Sequence, residues 1–120
     1  MSRRHLFLVV MTALLSLTSV ACGAKTNAAT ITLNEFTIKP KGVLATAGSP
    51  MTMTLINSGK IEHNLELEAK VSDVTALAVL KPGESKTVTF TPKMAGSFQF
   101  VCTIPGHAPA GMVGTLTVNP

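Results

Sequence analysis

The sequence VCTIPGHAPAGMVGTL, from Val101 to Leu116, brings three metal-binding side chains into one short segment. Cys102, His107 and Met112 supply a thiol, an imidazole and a thioether, with four residues between consecutive members. The prolines in this segment fix φ and lack an N–H donor, whereas the glycines allow sharp reversals. The segment is therefore predicted to be a loop that folds back on itself, and not a helix.

The residues on either side of the loop predict which way these side chains point. Before it, Phe98, Phe100 and Cys102 occupy alternate positions of a strand-like run, so the thiol shares the aromatic, inward side. After it, Met112 has the same parity as Leu116 in a second alternating run. Both the thiol and the thioether are therefore predicted to face the core.

A fourth ligand has to come from elsewhere, and the few histidines limit the choice. His5 lies in an N-terminal segment that we predict to be removed, which leaves His63 beside His107. His63, Leu65 and Leu67 alternate with polar residues, so His63 is also predicted to face the core. One thiolate, two imidazoles and a distant thioether form the trigonal set with a weak axial Met that suits copper in electron transfer.

Each of these residues alone has a simpler explanation. A buried Cys is commonly an inert thiol, an inward His is commonly a hydrogen-bonded structural residue, and Met51, Met53 and Met94 are expected to fill the core. Zinc also binds Cys and His, but its sites use four such ligands, or three with a water. The four residues together favour one mononuclear copper, and Met112 is what decides against zinc.

The order of these residues also carries a family resemblance. His63-Asn64, then CTIPGH over residues 102–107, then MVGTL from Met112, resembles the blue-copper cupredoxin family. The gap between Cys102 and His107 is similar to that of the auracyanin and azurin members, whereas the plastocyanin gap is shorter. The resemblance covers roughly residues 30–120. It implies one-electron transfer through a type 1 copper centre and a Greek-key β-sandwich.

Two residues beside the predicted ligands are expected to tune the site. The resemblance implies that Asn64, next to His63, ties the two ligand loops together and helps surround the Cys102 sulfur. The alternative for Asn64 is a turn or exposed strand residue. Ile104, unlike Pro105, keeps a backbone N–H that could also reach that sulfur. Hydrogen bonds of this kind adjust the reduction potential of a metal site.

Residues 1–21 are typical of an export signal, with a basic start, an apolar run over residues 6–17 and a small-residue ending. Cys22 follows, and Thr-Ser-Val-Ala-Cys resembles a bacterial lipobox, although Ser19 stands where Leu is commonest. This predicts a lipidated Cys22 and a short tether, residues 22–29, that holds the domain at a membrane in the periplasm or outside the cell. The alternative is ordinary cleavage that leaves a free thiol. The export route, general or twin-arginine, stays open.

Over residues 30–120, strand-like runs alternate with turn signals and no repeat or second domain is found. This pattern predicts an all-β, antiparallel sandwich of about seven or eight strands. The alternation slips after Leu33, which predicts a bulge or bend near Asn34-Glu35. Residues 69–80 have partly helical spacing, so a brief helix or an irregular loop is expected there. Pro82-Gly83 predicts a type II turn.

Charge and composition restrict the partners. From Cys22 onward eight Lys oppose six acidic residues, a net charge of about +2, and the lysines are scattered, so nucleic-acid binding is not predicted. Around His107, the small uncharged residues of 105–111 predict an apolar rim on which redox proteins dock briefly. We therefore expect a monomeric electron carrier. The alternative is a protein that binds copper without redox turnover, and an enzyme is not expected because four protein ligands leave no open position.

Overall fold

The computed structural model describes residues 27–120, and the predicted export signal and Cys22 lie outside the described residues. The regular elements of the described part are nine strands: β1 (Asn27–Asn34), β2 (Thr37–Lys39), β3 (Gly42–Thr46), β4 (Met51–Asn57), β5 (His63–Leu67), β6 (Ala76–Leu80), β7 (Ser85–Phe90), β8 (Gly96–Val101) and β9 (Val113–Asn119). Within residues 27–120 there is no helix that is long and apolar enough to cross a membrane.

The strands form two sheets that pack into a sandwich. One has the order β2-β1-β4-β7 and the other the order β3-β9-β8-β5-β6. Five strand pairs are antiparallel, whereas β1–β4 and β3–β9 are parallel. The predicted all-β sandwich is confirmed, with mixed sheets in place of purely antiparallel ones. A parallel pair needs a crossover, and here the chain crosses through β3 of the other sheet before it returns as β4.

The core lies between the sheets and is built from alternate residues of the strands. In β4 the side chains of Met51, Met53 and Leu55 are fully buried, and the residues between them are partly exposed. This alternation is the period of two that β-structure imposes on a chain with one buried face. Met94 does not belong to this core, because it lies in the loop between β7 and β8 and is 51% exposed.

The first difference from the sequence prediction lies between β1 and β2. Asn34 pairs with Thr37, and Glu35-Phe36 forms the two-residue turn of a hairpin. Phe36 has a φ of 58°, in the left-handed region. The slip in the alternation thus marks a chain reversal and not a bulge within one strand.

The second difference lies in residues 69–80, where a strand replaces the helical alternative. The Ser72 hydroxyl accepts the N–H of Val74 at 3.0 Å, which shapes a turn, and the chain then enters β6. Strand β6 pairs with β5, with a register shift near Leu65 that leaves both Leu77 and Ala78 buried. Two successive inward residues break the period of two, and this is why the pattern imitates helical spacing.

The topology brings three chain segments to one end of the sandwich. β8 and β9 are antiparallel neighbours with Val101 opposite Val113, so the connecting loop leaves and returns at the same edge. β5 pairs with β8 on the side opposite β9 and runs antiparallel to it. Its first residue, His63, therefore lies at the end where β8 finishes.

Candidate metal centre

Three buried side chains with metal-binding atoms meet at this end of the sandwich. His63 Nδ1 lies 3.2 Å from His107 Nδ1, which lies 3.4 Å from Cys102 Sγ. The ligand atoms of the three side chains all lie within 4.8 Å of one another. His63 and Cys102 are 0% exposed and His107 is 7% exposed. The cluster is therefore almost completely closed to solvent.

Backbone hydrogen bonds fold the loop between β8 and β9 onto itself. The N–H of Cys102 donates to the carbonyl of Met112, and the N–H of Met112 donates to the carbonyl of His107, both at 3.1 Å. The N–H of His107 donates to the carbonyl of Ile104 at 3.0 Å. Because the Met112 side chain is also fully buried, the fold places all four predicted ligands in position for a copper site.

The donor set and its spacing fit a copper ion. Nitrogen and sulfur ligands lie about 2.0 and 2.3 Å from a bound ion of this size, so ligand atoms that share an ion are about 3–4 Å apart. The separations of 3.2 and 3.4 Å match that range. Two imidazoles, one thiol and a thioether on the same loop are the combination that copper accepts in electron-transfer sites.

A buried asparagine shapes the turn that leads into His63. The side-chain amide of Asn57 donates to the carbonyls of Ile61 at 2.8 Å and Leu80 at 3.0 Å, and its oxygen accepts the N–H of Gly59 at 2.9 Å. Asn57 is 0% exposed, so these bonds offset the cost of burying its polar atoms.

The β1–β2 turn is held against the same segment by Glu35. Its carboxylate accepts the N–H groups of Lys60 and Ile61, and these bonds lower the pKa of Glu35 below its usual value. A side chain on Gly59 would come within 2.6 Å of the Glu35 carboxylate and 3.1 Å of His63 Nε2. The turn thus passes close to Glu35 and His63 at Gly59, and a larger residue there would require the Glu35 side chain to shift.

The next residue of that turn contacts the other histidine. The Phe36 ring lies edge-on to the His107 ring, with centroids 5.4 Å apart and planes at 88°. A side chain on Gly111 would come within 3.0 Å of the Phe36 carbonyl, so the turn also packs closely on the ligand loop. Phe36 remains 44% exposed, and sequence analysis had not connected it with the site.

Asn64 connects the segment that carries His63 with the segment that carries Cys102. Its side-chain oxygen accepts the N–H of Thr103 at 2.7 Å, and its amide donates to the Thr103 hydroxyl at 2.6 Å. The carbonyl of Ile104 accepts the N–H of His107, and contact between the Ile104 N–H and the Cys102 sulfur stays a prediction.

The electrostatics of the cluster favour a neutral ligand at His63. Burial lowers the pKa of His63 below its usual value, and the nearby His107 lowers it further, whereas the Glu35 carboxylate opposes the shift. His63 Nε2 is buried without a hydrogen-bond partner. Protonation of the ring would place a charge there, so the fold prefers the unprotonated form that binds metal.

Known proteins are similar to this chain in sequence and in fold. A family model described as a cupredoxin-like domain matches residues 5–118. Auracyanin-B of Chloroflexus aurantiacus is 54% identical over 43 residues, 36% of this chain and 18% of that protein. The copper-resistant cuproprotein CopI of Pseudomonas aeruginosa is 50% identical over 42 residues, 35% of this chain and 23% of that protein. The matched part is thus less than a quarter of the length of each of these two relatives. The structure of dithionite-reduced auracyanin from Roseiflexus castenholzii aligns with a TM-score of 0.67 and 28% identity over 82% of this chain and all of that one.

The lowered pKa of His63 predicts that the metal-free protein loses stability as the pH falls from 7.5 to 5.5. The contribution of His63 to the free energy of unfolding is complete above the usual histidine pKa of about 6.5. It is lost as the pH falls below that value, because the unfolded chain then binds a proton at His63 that the folded chain resists. The measurement is urea unfolding at several pH values of metal-free wild type and His63→Gln. The free energy of unfolding should decline more in the wild type, and parallel curves would contradict the prediction. Glu35 titrates at lower pH and leaves this window clear.

Proposed function

Because the chain belongs to the cupredoxin-like domain family, we propose that it transfers single electrons through one copper ion held by His63, Cys102, His107 and Met112. The observation that carries the proposal is the convergence of two imidazoles and one thiol within 4.8 Å in a buried site. A trigonal set of this kind, with a distant thioether, is typical of copper sites for electron transfer.

The chain's own contribution is to hold the donor atoms in one geometry. When bound, copper would supply a one-electron couple between its two oxidation states. The hydrogen bonds that join Cys102, His107 and Met112 within the loop limit their movement. The Asn64–Thr103 pair does the same between β5 and that loop. The ligands therefore need to rearrange little when an electron arrives or leaves.

Copper handling without redox turnover is the second candidate, and the similarity to CopI is what favours it. Release of a metal to a partner is easiest from exposed ligands. Here His63, Cys102 and Met112 are fully buried and His107 is nearly so. This burial supports the electron carrier over the copper carrier. Four protein ligands also leave no open position for a substrate, so we propose a role without enzymatic turnover.

We propose that electrons pass through the edge of His107 to redox proteins. This imidazole keeps 7% of its surface exposed, among the small uncharged residues 105–111. The half-exposed ring of Phe36 extends this apolar rim on the side of the β1–β2 turn. A small apolar surface of this kind suits a partner that binds and leaves quickly.

We also propose that a lipid on Cys22 tethers the domain to a membrane outside the cytoplasm. β1 begins at Asn27, five residues later, and five extended residues reach at most about 18 Å. β1 then runs through eight residues, about 26 Å, to the turn that contacts His107. The anchored end and the copper end are thus opposite, which supports docking of partners on the side away from the membrane.

The copper proposal predicts an intense blue absorption band when copper(II) is added to the protein from residue 22 onward, made soluble by Cys22→Ser. The band arises from the bond between thiolate and copper(II), so it should disappear on reduction. Cys102→Ser should lack it while keeping the folded β-signature in circular dichroism. A colourless wild type that is correctly folded would reject the electron carrier and favour copper handling.

The docking proposal predicts that Ala108→Glu slows electron self-exchange between oxidised and reduced copies by about tenfold, because an unpaired carboxylate must be desolvated at the apolar rim. Self-exchange is measured by NMR line broadening in mixtures of the two forms, with the copper spectrum unchanged. Ala95→Glu adds the same charge in the exposed loop between β7 and β8, at the opposite end of the sandwich, and serves as the control. Equal self-exchange rates in the two variants would contradict docking on the apolar rim.

The tether proposal predicts that the full chain expressed in bacteria collects in the membrane fraction and incorporates labelled palmitate. Cys22→Ser should abolish the label and release the exported protein into the soluble fraction, because a lipid chain is then absent. Unchanged membrane association of Cys22→Ser would contradict lipid anchoring. Cys102→Ser, which leaves Cys22 intact, is the control for the loss of a thiol.

A further inference from the structure

Glu66 lies on the outward side of β5, beside the segment that carries the thiol. It follows His63 by three residues and has the same parity as Asn64. In the pairing of β5 with β8 it stands opposite Val101, the residue before Cys102. A carboxylate is therefore placed next to both ligand-bearing segments, although it contacts neither ligand side chain.

In each hydrogen bond around Glu66, the chemistry of the groups fixes which one donates and which one accepts. The Asn64 amide can only donate, so the Thr103 hydroxyl accepts from it at 2.6 Å. The Thr103 hydroxyl must then use its own proton elsewhere, and it donates to Glu66 Oε1 at 3.1 Å. The Asn64 amide also points to the same Glu66 oxygen at 3.5 Å. The carboxylate thus ends a chain of donors that starts at the link between the two ligand segments.

Within residues 27–120, the Glu66 carboxylate forms no ion pair. The ion pair of residues 27–120 joins Lys93 and Asp73, which lie elsewhere. Lys86 lines the same open groove of about 230 Å³ as Glu66, but forms no ion pair with it. The negative charge therefore lies beside Thr103, directly after Cys102, without an ion pair among the described residues.

We propose that Glu66 is a positioning residue for the copper site and that its charge lowers the reduction potential. It fixes the Thr103 hydroxyl, and through it the Asn64–Thr103 link that holds Cys102 near His63. A negative charge close to the metal also stabilises the oxidised ion more than the reduced one. The inference rests on the proposed copper function, but the link itself belongs to the folded chain.

The test compares reduction potentials of the copper-loaded wild type, Glu66→Gln and Glu68→Gln. Glutamine keeps an oxygen that can accept from Thr103, so Glu66→Gln removes only the charge. Glu68→Gln removes the same charge two residues further on, where the carboxylate accepts the N–H of Gln99 and has no link to Thr103. Glu66→Gln should raise the potential more than Glu68→Gln. Equal shifts, or no shift, would overturn the role of the charge.

The Thr103→Val substitution tests the connection between Glu66 and the copper site by removing the Thr103 hydroxyl. If Glu66 acts partly through the Thr103 hydroxyl, Glu66→Gln should shift the potential less in the Thr103→Val background than in the wild-type background. An undiminished shift in that background would show that Thr103 is not the connection.

Hydrogen exchange of the Thr103 amide in the metal-free protein measures the link without copper. Glu66→Ala removes the acceptor, so this amide should exchange about tenfold faster than in wild type or Glu66→Gln. Unchanged exchange in Glu66→Ala would overturn the positioning role. If wild type binds no copper, the proposed function fails, whereas this measurement still decides what Glu66 does for the link.

Discussion

The hydrogen bond from the Cys102 N–H to the Met112 carbonyl is the constraint on which the rest of the site depends. It extends the pairing of β8 with β9 one step beyond the strands, after the Val101–Val113 rung. The loop therefore begins and ends at one place, with the Cys102 and Met112 backbones joined and both side chains fully buried. The bond from Met112 to the His107 carbonyl then folds the middle of the loop back toward them. A local backbone pattern thus assembles three of the four predicted ligands.

His63 comes from a different part of the chain, and burial and hydrogen bonding decide its position. Asn57 shapes the turn that precedes His63. Asn64, directly after His63, is hydrogen-bonded to Thr103, and Glu35 holds the β1–β2 turn against Ile61. These hydrogen bonds hold the segment that carries His63 in place, with its imidazole 3.2 Å from that of His107.

Alternation and turn residues were sufficient to predict the strands that are buried on one face, such as β4, and the inward side chains at positions 63, 102 and 112. They failed where a period of two was interrupted. A hairpin at Glu35-Phe36 lies where a bulge or bend is predicted, and a register shift that buries Leu77 and Ala78 in succession lies where a brief helix or an irregular loop is predicted. Met94 was assigned to the core, although its loop lies outside the sandwich. The pattern at Leu77 and Ala78 depends on the pairing of β6 with β5, which alternation within one strand does not show.

Residue type and parity are local properties, so the order of amino acids is enough to predict which donor atoms are present and on which side of each strand they lie. The mixed pairing of the sheets and the surroundings of the donors appear only in the folded chain. The approach of Phe36 to His107, the approach of Glu35 to the turn at Gly59 and the chain from Asn64 through Thr103 to Glu66 join residues 24 to 71 positions apart. Such contacts follow from how strands cross between two sheets, which no local pattern encodes.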